Sequence, residues 1–222
     1  MSFIFSQEIQ KNRGNMPIGT PKIPVIRSYK DSENNDRERT VYITLYEKLV
    51  EERVLFLSRD IEFPLVNRLI ALLLLMDSEE EKTIVLIINS RGGGALSTMA
   101  LYDTMQISRS DVCTLNIGLA ASGASLILVG GTIPRRTAFL HARVMIHQPS
   151  TAHFRAKGDK ILLETIEMCD FRSTIAEIYA QKTGKPLNVI QEDLERDNFM
   201  SAEEAKDYGI IDHIMPKKKY LV

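Results

Sequence analysis

The sequence predicts an α/β fold with a largely parallel sheet, on three observations. Apolar runs of strand length alternate with helical patterns from residue 53 to residue 147, and strands separated by helices are joined by crossovers into parallel sheets. A glycine turn, Gly92-Gly93-Gly94, follows one of these runs, where an α/β sheet gathers its active groups at the carboxyl ends of its strands. With 222 residues, 44% apolar and 26% charged, the chain has material for one well-filled core plus an extension.

Residues 1–40 contain Gly14, Pro17, Gly19, Pro21 and Pro24, and residues 28–39 are a polar run; this is the composition of a mobile arm. The division expected is a mobile extension over 1–40 and a single domain over 41–222. Residues 53–58 read as an apolar strand and 64–77 as a helix opened by Pro64. The apolar run 69–76 in that helix is far shorter than the roughly 20 residues that cross a bilayer, so no membrane span is expected. A strand over 83–89 enters the glycine turn, a helix through Met99 and Met105 follows, and 112–117 is the next strand. The small-residue segment 118–131 reads as a tightly packed helix, and a strand over 143–147 is ended by Pro149. Residues 160–182 carry Met168, Phe171, Ile175 and Ile178 at the spacing of one helical face, with Gly184 and Pro186 behind as stop signals. Ser201 and Glu204 form the capping box of a last short helix that ends before Gly209.

The net charge of −1 and the lack of a basic stripe argue against nucleic acid as a partner. The apolar stretch around Phe3 to Phe5 is too short for a signal-peptide core of about 7–15 residues, so no export signal is expected. Cys113 and Cys169 sit in apolar segments, which predicts buried free thiols in a reducing compartment. Neither phosphate-binding glycine fingerprint occurs and the His and Cys residues lack ligand spacing, so neither a nucleotide nor a metal is expected on this chain.

A serine nucleophile needs a base, a group that orients the base, and backbone donors for the oxyanion. Ser122 stands among small residues in Gly118-Leu-Ala-Ala-Ser-Gly123, where the Gly123 amide is free to donate and the backbone can approach a substrate. His147 leaves the end of an apolar strand, while His141, His153 and His213 are weaker candidates for the base. Glu192, Asp193, Glu195 and Asp197 cluster in one stretch, and spacing does not choose the acid among them. The strand end Ile88-Asn89-Ser90-Arg91-Gly92-Gly93 offers amides that could complete an oxyanion hole or bind an extended peptide.

In this order the blocks resemble the Clp protease proteolytic subunits over about residues 16–214. Ile88-Asn89-Ser90 with Gly92-Gly93, Tyr102-Asp103-Thr104-Met105, Gly118-Leu-Ala-Ala-Ser122, His141-Ala-Arg-Val-Met-Ile-His147-Gln-Pro149, Glu195-Arg196-Asp197 and Phe199-Met200-Ser201-Ala202 carry the match. The resemblance implies a crotonase-like fold of βαβ units with a protruding handle helix over 160–182. It implies a serine endopeptidase with Ser122 as nucleophile, His147 as base and Asp197 as acid, and with Gly93 and Gly123 at the oxyanion hole. It also implies two stacked seven-membered rings, homo- or hetero-oligomeric with related subunits, and a Clp-class AAA+ ATPase that uses the ATP and feeds unfolded proteins. Met16-Pro-Ile-Gly19 with Pro21-Lys-Ile-Pro24 is similar to the start of the plastid-encoded members. No transit peptide is expected ahead of it, which implies the chloroplast stroma, with the bacterial cytoplasm as the alternative. Two departures stand out: Arg91 where the family has proline, bringing charge toward the cleft, and Gly123 where it has methionine. They make a non-catalytic structural subunit the rival reading; an acyl-CoA hydratase or isomerase on the same framework would need glutamates that are not seen at the matching turns.

Overall fold

The computed structural model describes residues 21–30, 36–150 and 157–216. Residues 1–15, the Met16–Gly19 opening and His153 lie outside the described residues. The chain divides into two compact units, Met1–Glu52 and Arg53–Val222.

In the first unit, β1 (Lys22–Lys30) and β2 (Asp36–Thr44) pair antiparallel, with Lys22 opposite Thr44 and Lys30 opposite Asp36. Where composition predicts a mobile arm, a β-hairpin forms, and the division falls after Glu52 rather than near Val41. Past Pro24, the strands carry Val25, Ile26, Tyr29, Val41, Tyr42 and Ile43, residue types that fit a pleated surface whatever charges lie between them. Thr44 ends β2 and caps α1 (Leu45–Glu51). Its hydroxyl accepts from the Glu47 amide at 3.1 Å, and the Glu47 carboxylate accepts from the Thr44 amide at 2.6 Å, a reciprocal capping box.

The second unit is built on a seven-stranded sheet. β3 (Val54–Leu57), β4 (Ile84–Ser90) and β5 (Val112–Ala121) pair parallel in that order. β5 then forks: its first half pairs β6 (Arg136–Ala138), and its last residues pair β7 (Arg143–Ile146), both parallel. Asn116 is fully buried at the fork and donates to the Arg143 carbonyl at 2.9 Å, which satisfies a carbonyl where the ladder divides. β8 (Asn198–Ser201) runs antiparallel to β7, and β9 (His213–Ile214) closes the other branch on β6.

The helices bear out most of the periodicity. In α2 (Phe63–Glu79), Val66, Leu69, Leu73 and Met76 are buried, and α3 (Ala95–Ile107) buries Leu101 and Met105. The predicted helix over 118–131 is corrected. Residues 118–121 continue β5, and only α4 (Gly123–Val129) is helical, because the Leu119–Ala121 backbone finds β7 as a partner. α5 (Gly158–Thr183) is the long helix, followed by α6 (Leu187–Asp193) and α7 (Ala202–Tyr208), the last opened by the expected box of Ser201 and Glu204. Ile175 and Tyr179 of α5 are buried, whereas Ile161, Leu162, Leu163 and Ile166 in its first turns are exposed. Among the described residues, no helix is long and apolar enough to cross a membrane. Cys113 is half-buried and Cys169 exposed, both free; the expected burial fails for Cys169, which lines an open groove on α5 with Pro149 and Arg172.

The far end of α5 is pinned by a buried ion pair. Arg136 meets Asp212 at 2.6 Å, with side chains 4% and 13% exposed, and it also donates to the Lys182 carbonyl at 3.2 Å. Burial raises the Asp212 pKa, but hydrogen bonds from the Arg136 side chain and backbone outweigh it and hold the carboxyl below its ordinary 3.8. A carboxylate lowered in the fold contributes stability that is complete above the unfolded value and is lost as pH falls through the folded one. Asp212→Ala leaves the Arg136 guanidinium buried without a counter-charge and is expected to cost about 3–5 kcal/mol. A fall in the urea midpoint checks this; an unchanged midpoint at neutral pH would refute it.

Candidate active site

Three parallel strands end at one edge of the sheet, and each delivers part of a site. β4 ends at Ser90 and gives way to the glycine turn, β5 ends at Ala121 directly before Ser122, and β7 ends at Ile146 directly before His147. Because Ala121 lies opposite Met145 in the β5–β7 register, the two strands finish level and set Ser122 beside His147. The Ser122 amide extends the pairing by donating to the Met145 carbonyl at 2.9 Å. On the other side of β7, Ile146 lies opposite Asn198, and antiparallel pairing brings Asp197, just ahead of β8, back to His147.

The three side chains form one hydrogen-bonded chain. Ser122 Oγ is 2.8 Å from His147 Nε2, and His147 Nδ1 is 3.0 Å from Asp197 Oδ1. With the proton on Nδ1 donated to the carboxylate, Nε2 presents its lone pair to the serine hydroxyl. The His147 side chain is 23% exposed and that of Asp197 62%, so the pair is tied at its inner end and wet at its outer one. Ser122 itself has φ 53° and ψ −126°, a conformation that costs a non-glycine residue of order 1–3 kcal/mol and persists only where its surroundings impose it.

The glycine turn lies against this serine. Ile61 forms a bridge with Gly93, its amide donating to the Gly92 carbonyl and its carbonyl accepting from the Gly94 amide, each at 2.8 Å. The Gly93 amide takes no part in that bridge. Gly92 has φ 97°, and a Cβ there would meet the Ala121 carbonyl at 2.6 Å and Ser122 Cβ at 2.8 Å, so only glycine permits this approach. The Gly123 amide opens α4, where helical amides have no internal acceptor. Beside these groups is a cavity of about 180 Å³ lined among others by Leu126, Pro149, Phe171, Ile175 and Tyr179. Leu126, Pro149, Phe171 and Ile175 give it an apolar side that can take an apolar group next to the reacting bond, while Thr98, Ser122, His147 and Ser150 supply polar surface.

Both sequence departures have a structural setting. Arg91 does not line the cavity; its exposed guanidinium turns to Asp60 at 3.1 Å, so the expected charge in the cleft is corrected. A Cβ on Gly123 would collide with the Thr98 hydroxyl and stand 3.2 Å from the Thr98 methyl. Thr98 is held there by its own bond to the Gly94 carbonyl at 3.0 Å. Sequence reading passed over Thr98, whose only signal was its place one helical turn after the glycines.

The other candidates lie elsewhere. His141 is an exposed turn residue and His213 an exposed one on β9. Asp193 accepts from the Tyr208 hydroxyl at 2.6 Å, Glu195 faces Arg172 at 3.6 Å, and Glu192 is exposed on α6. Among the described residues, no group of three or more His, Cys, Asp or Glu side chains could hold a metal ion.

The family model described as Clp protease matches residues 36–218. The chain is 48% identical over 198 residues to the chloroplastic ATP-dependent Clp protease proteolytic subunit 1 of Arabidopsis thaliana, covering 89% of this chain and 97% of the relative. ATP-dependent Clp protease proteolytic subunits of Lepidium virginicum and Arabis hirsuta are 47% and 46% identical over the same shares. With a family match that spans the whole sheet and relatives matched over nearly their full length, this chain belongs to the Clp protease family.

Proposed function

We propose that this chain is a serine-type endopeptidase subunit that cleaves peptide bonds of unfolded proteins, with Ser122 as nucleophile, His147 as general base and Asp197 as orienting acid. The observation that carries the reading is the unbroken chain from Ser122 Oγ through both His147 nitrogens to Asp197, at 2.8 Å and 3.0 Å. His147 takes the Ser122 proton as Oγ bonds to the substrate carbonyl carbon. The Gly93 and Gly123 amides donate to the oxyanion. The imidazolium, balanced by Asp197, returns the proton to the leaving amine as the C–N bond breaks. Water, deprotonated by His147, then attacks the acyl-enzyme, and the Ser122 oxygen leaves with the proton.

The fold is of the crotonase-like α/β type, and the protein works in the chloroplast, in our reading in the stroma. It acts within an oligomeric Clp complex served by an ATPase; two stacked rings of seven, homo- or hetero-oligomeric, are the proposed form. In this reading the AAA+ partner, not this chain, binds and hydrolyses the ATP and delivers substrate. Exposed Ile161, Leu162, Leu163 and Ile166 on α5 support burial against another subunit, as a handle helix would provide.

Mass spectrometry of the assembled complex after fluorophosphonate treatment tests the reading. An adduct on Ser122 is expected; an unmodified Ser122 beside labelled sister subunits would make this a structural subunit. The Thr98 contact yields a companion expectation. Gly123→Ala forces Thr98 aside and slows Ser122 labelling, and Thr98→Ala in the same chain restores most of the rate. The coupling expected in the double-mutant cycle is of order 1 kcal/mol; strictly additive effects would refute the steric account.

A further inference from the structure

The strained conformation of Ser122 needs a brace, and its carbonyl shows where the brace lies. Ser125 donates its hydroxyl to the Ser122 carbonyl at 2.6 Å, and the Ser125 amide donates to the same oxygen at 3.0 Å. The Ser125 hydroxyl has one proton, which this bond uses. Its oxygen stands 2.7 Å from the hydroxyl of Tyr179, 54 residues away on α5, so the phenol is the donor in that contact. Ser125 is fully buried and Tyr179 2% exposed. Burial pushes the phenol pKa upward, which keeps its proton in place for donation.

We infer that Tyr179 is a positioning residue for the nucleophile, acting through a directed chain from its phenol to the Ser125 hydroxyl and on to the Ser122 carbonyl. In a dry interior such a chain polarises each link, so the phenol strengthens the bond that Ser125 makes. The backbone of Ser122 is thereby held from both sides. Its amide is bound to β7 through Met145 and its carbonyl is bound to α5 through Ser125 and Tyr179. The far end of α5 is in turn fixed by Arg136 on the Lys182 carbonyl and by Lys182 on Gln106 at 2.6 Å. Tyr179 also lines the cavity beside Ser122, so a wall role and a bracing role must be separated by experiment.

The inference rests on Ser122 being the nucleophile, and the test separates the two. The rate of fluorophosphonate adduct formation on Ser122 is measured by mass spectrometry in the assembled complex against reagent concentration, giving a maximal rate and a half-saturating concentration. Tyr179→Phe, which removes only the hydroxyl, is expected to lower the maximal rate about three- to tenfold, the worth of one hydrogen bond, with half-saturation unchanged. Ser125→Ala is expected to do the same, and the double variant no worse than the slower single one. Equal maximal rates, a change confined to half-saturation, or losses that multiply would each overturn the brace. If Tyr179→Phe does not assemble, Ser125→Ala decides by the same criteria. Failure of the unmutated chain to label at Ser122 would overturn the nucleophile reading itself, and the brace with it.

Discussion

Replacing Ser122 by alanine is expected to lower peptide hydrolysis by this chain about 10⁴-fold or more. The change removes one oxygen and little else. The backbone bonds that hold position 122, from its amide to Met145 and into its carbonyl from Ser125, do not use the Ser122 hydroxyl. Alanine adopts the positive φ at a cost similar to that of serine, so assembly is expected to survive. What goes is the atom that forms the acyl bond, leaving His147 Nε2 with only solvent to activate. The measurement is cleavage of a short fluorogenic peptide by complexes in which this chain is the only subunit with a reactive serine. His147→Ala added to Ser122→Ala is expected to change nothing further, since residues that act as one unit lose their effect together. Retention of the original rate by Ser122→Ala would end the serine-peptidase assignment.

Asp197→Asn is expected to lower kcat about 10²- to 10⁴-fold with KM within about twofold. The carboxylate can only accept, so it fixes the proton of His147 on Nδ1 and the lone pair on Nε2. An asparagine amide can instead donate to Nδ1 and turn Nε2 into a donor, which cannot take the Ser122 proton. The Asp197 side chain is 62% exposed, and water competes for both partners, which places the loss below what a fully buried acid would give. Glu195→Gln serves as the control, because Glu195 faces Arg172 and not the imidazole. A loss under about threefold for Asp197→Asn, or an equal loss for Glu195→Gln, would move the orienting role away from Asp197.

How far these residues were legible differs from one to the next. Ser122 and His147 announced themselves locally, one among small residues and the other between a strand and Gln148-Pro149, and both stand where strands end. Asp197 did not, since four acids within six positions look alike until β8 pairs with β7; the family resemblance, not spacing, singled it out. The hairpin over Lys22–Thr44 was hidden because the half of it nearer the turn pairs exposed polar and charged residues, Arg27 with Arg39, Ser28 with Glu38 and Lys30 with Asp36, so composition read as an arm. Residues 118–121 misled for the opposite reason: small residues pack in either state, and the neighbouring β7 decided for strand.

From its residues alone this protein is determined to be an α/β chain with active groups at the carboxyl ends of parallel strands, because hydrophobic period and glycine turns are local properties. The capping boxes at Thr44 and Ser201 are local in the same way, though only the second was read in advance. Tertiary structure alone decided that β5 forks, that Thr98 occupies the room a side chain at Gly123 would need, and that Tyr179 reaches Ser125. Those outcomes join residues from 22 to 54 positions apart. They depend on strand register and on which face of a helix meets which neighbour, quantities set by packing of the whole core and carried by no single stretch of sequence.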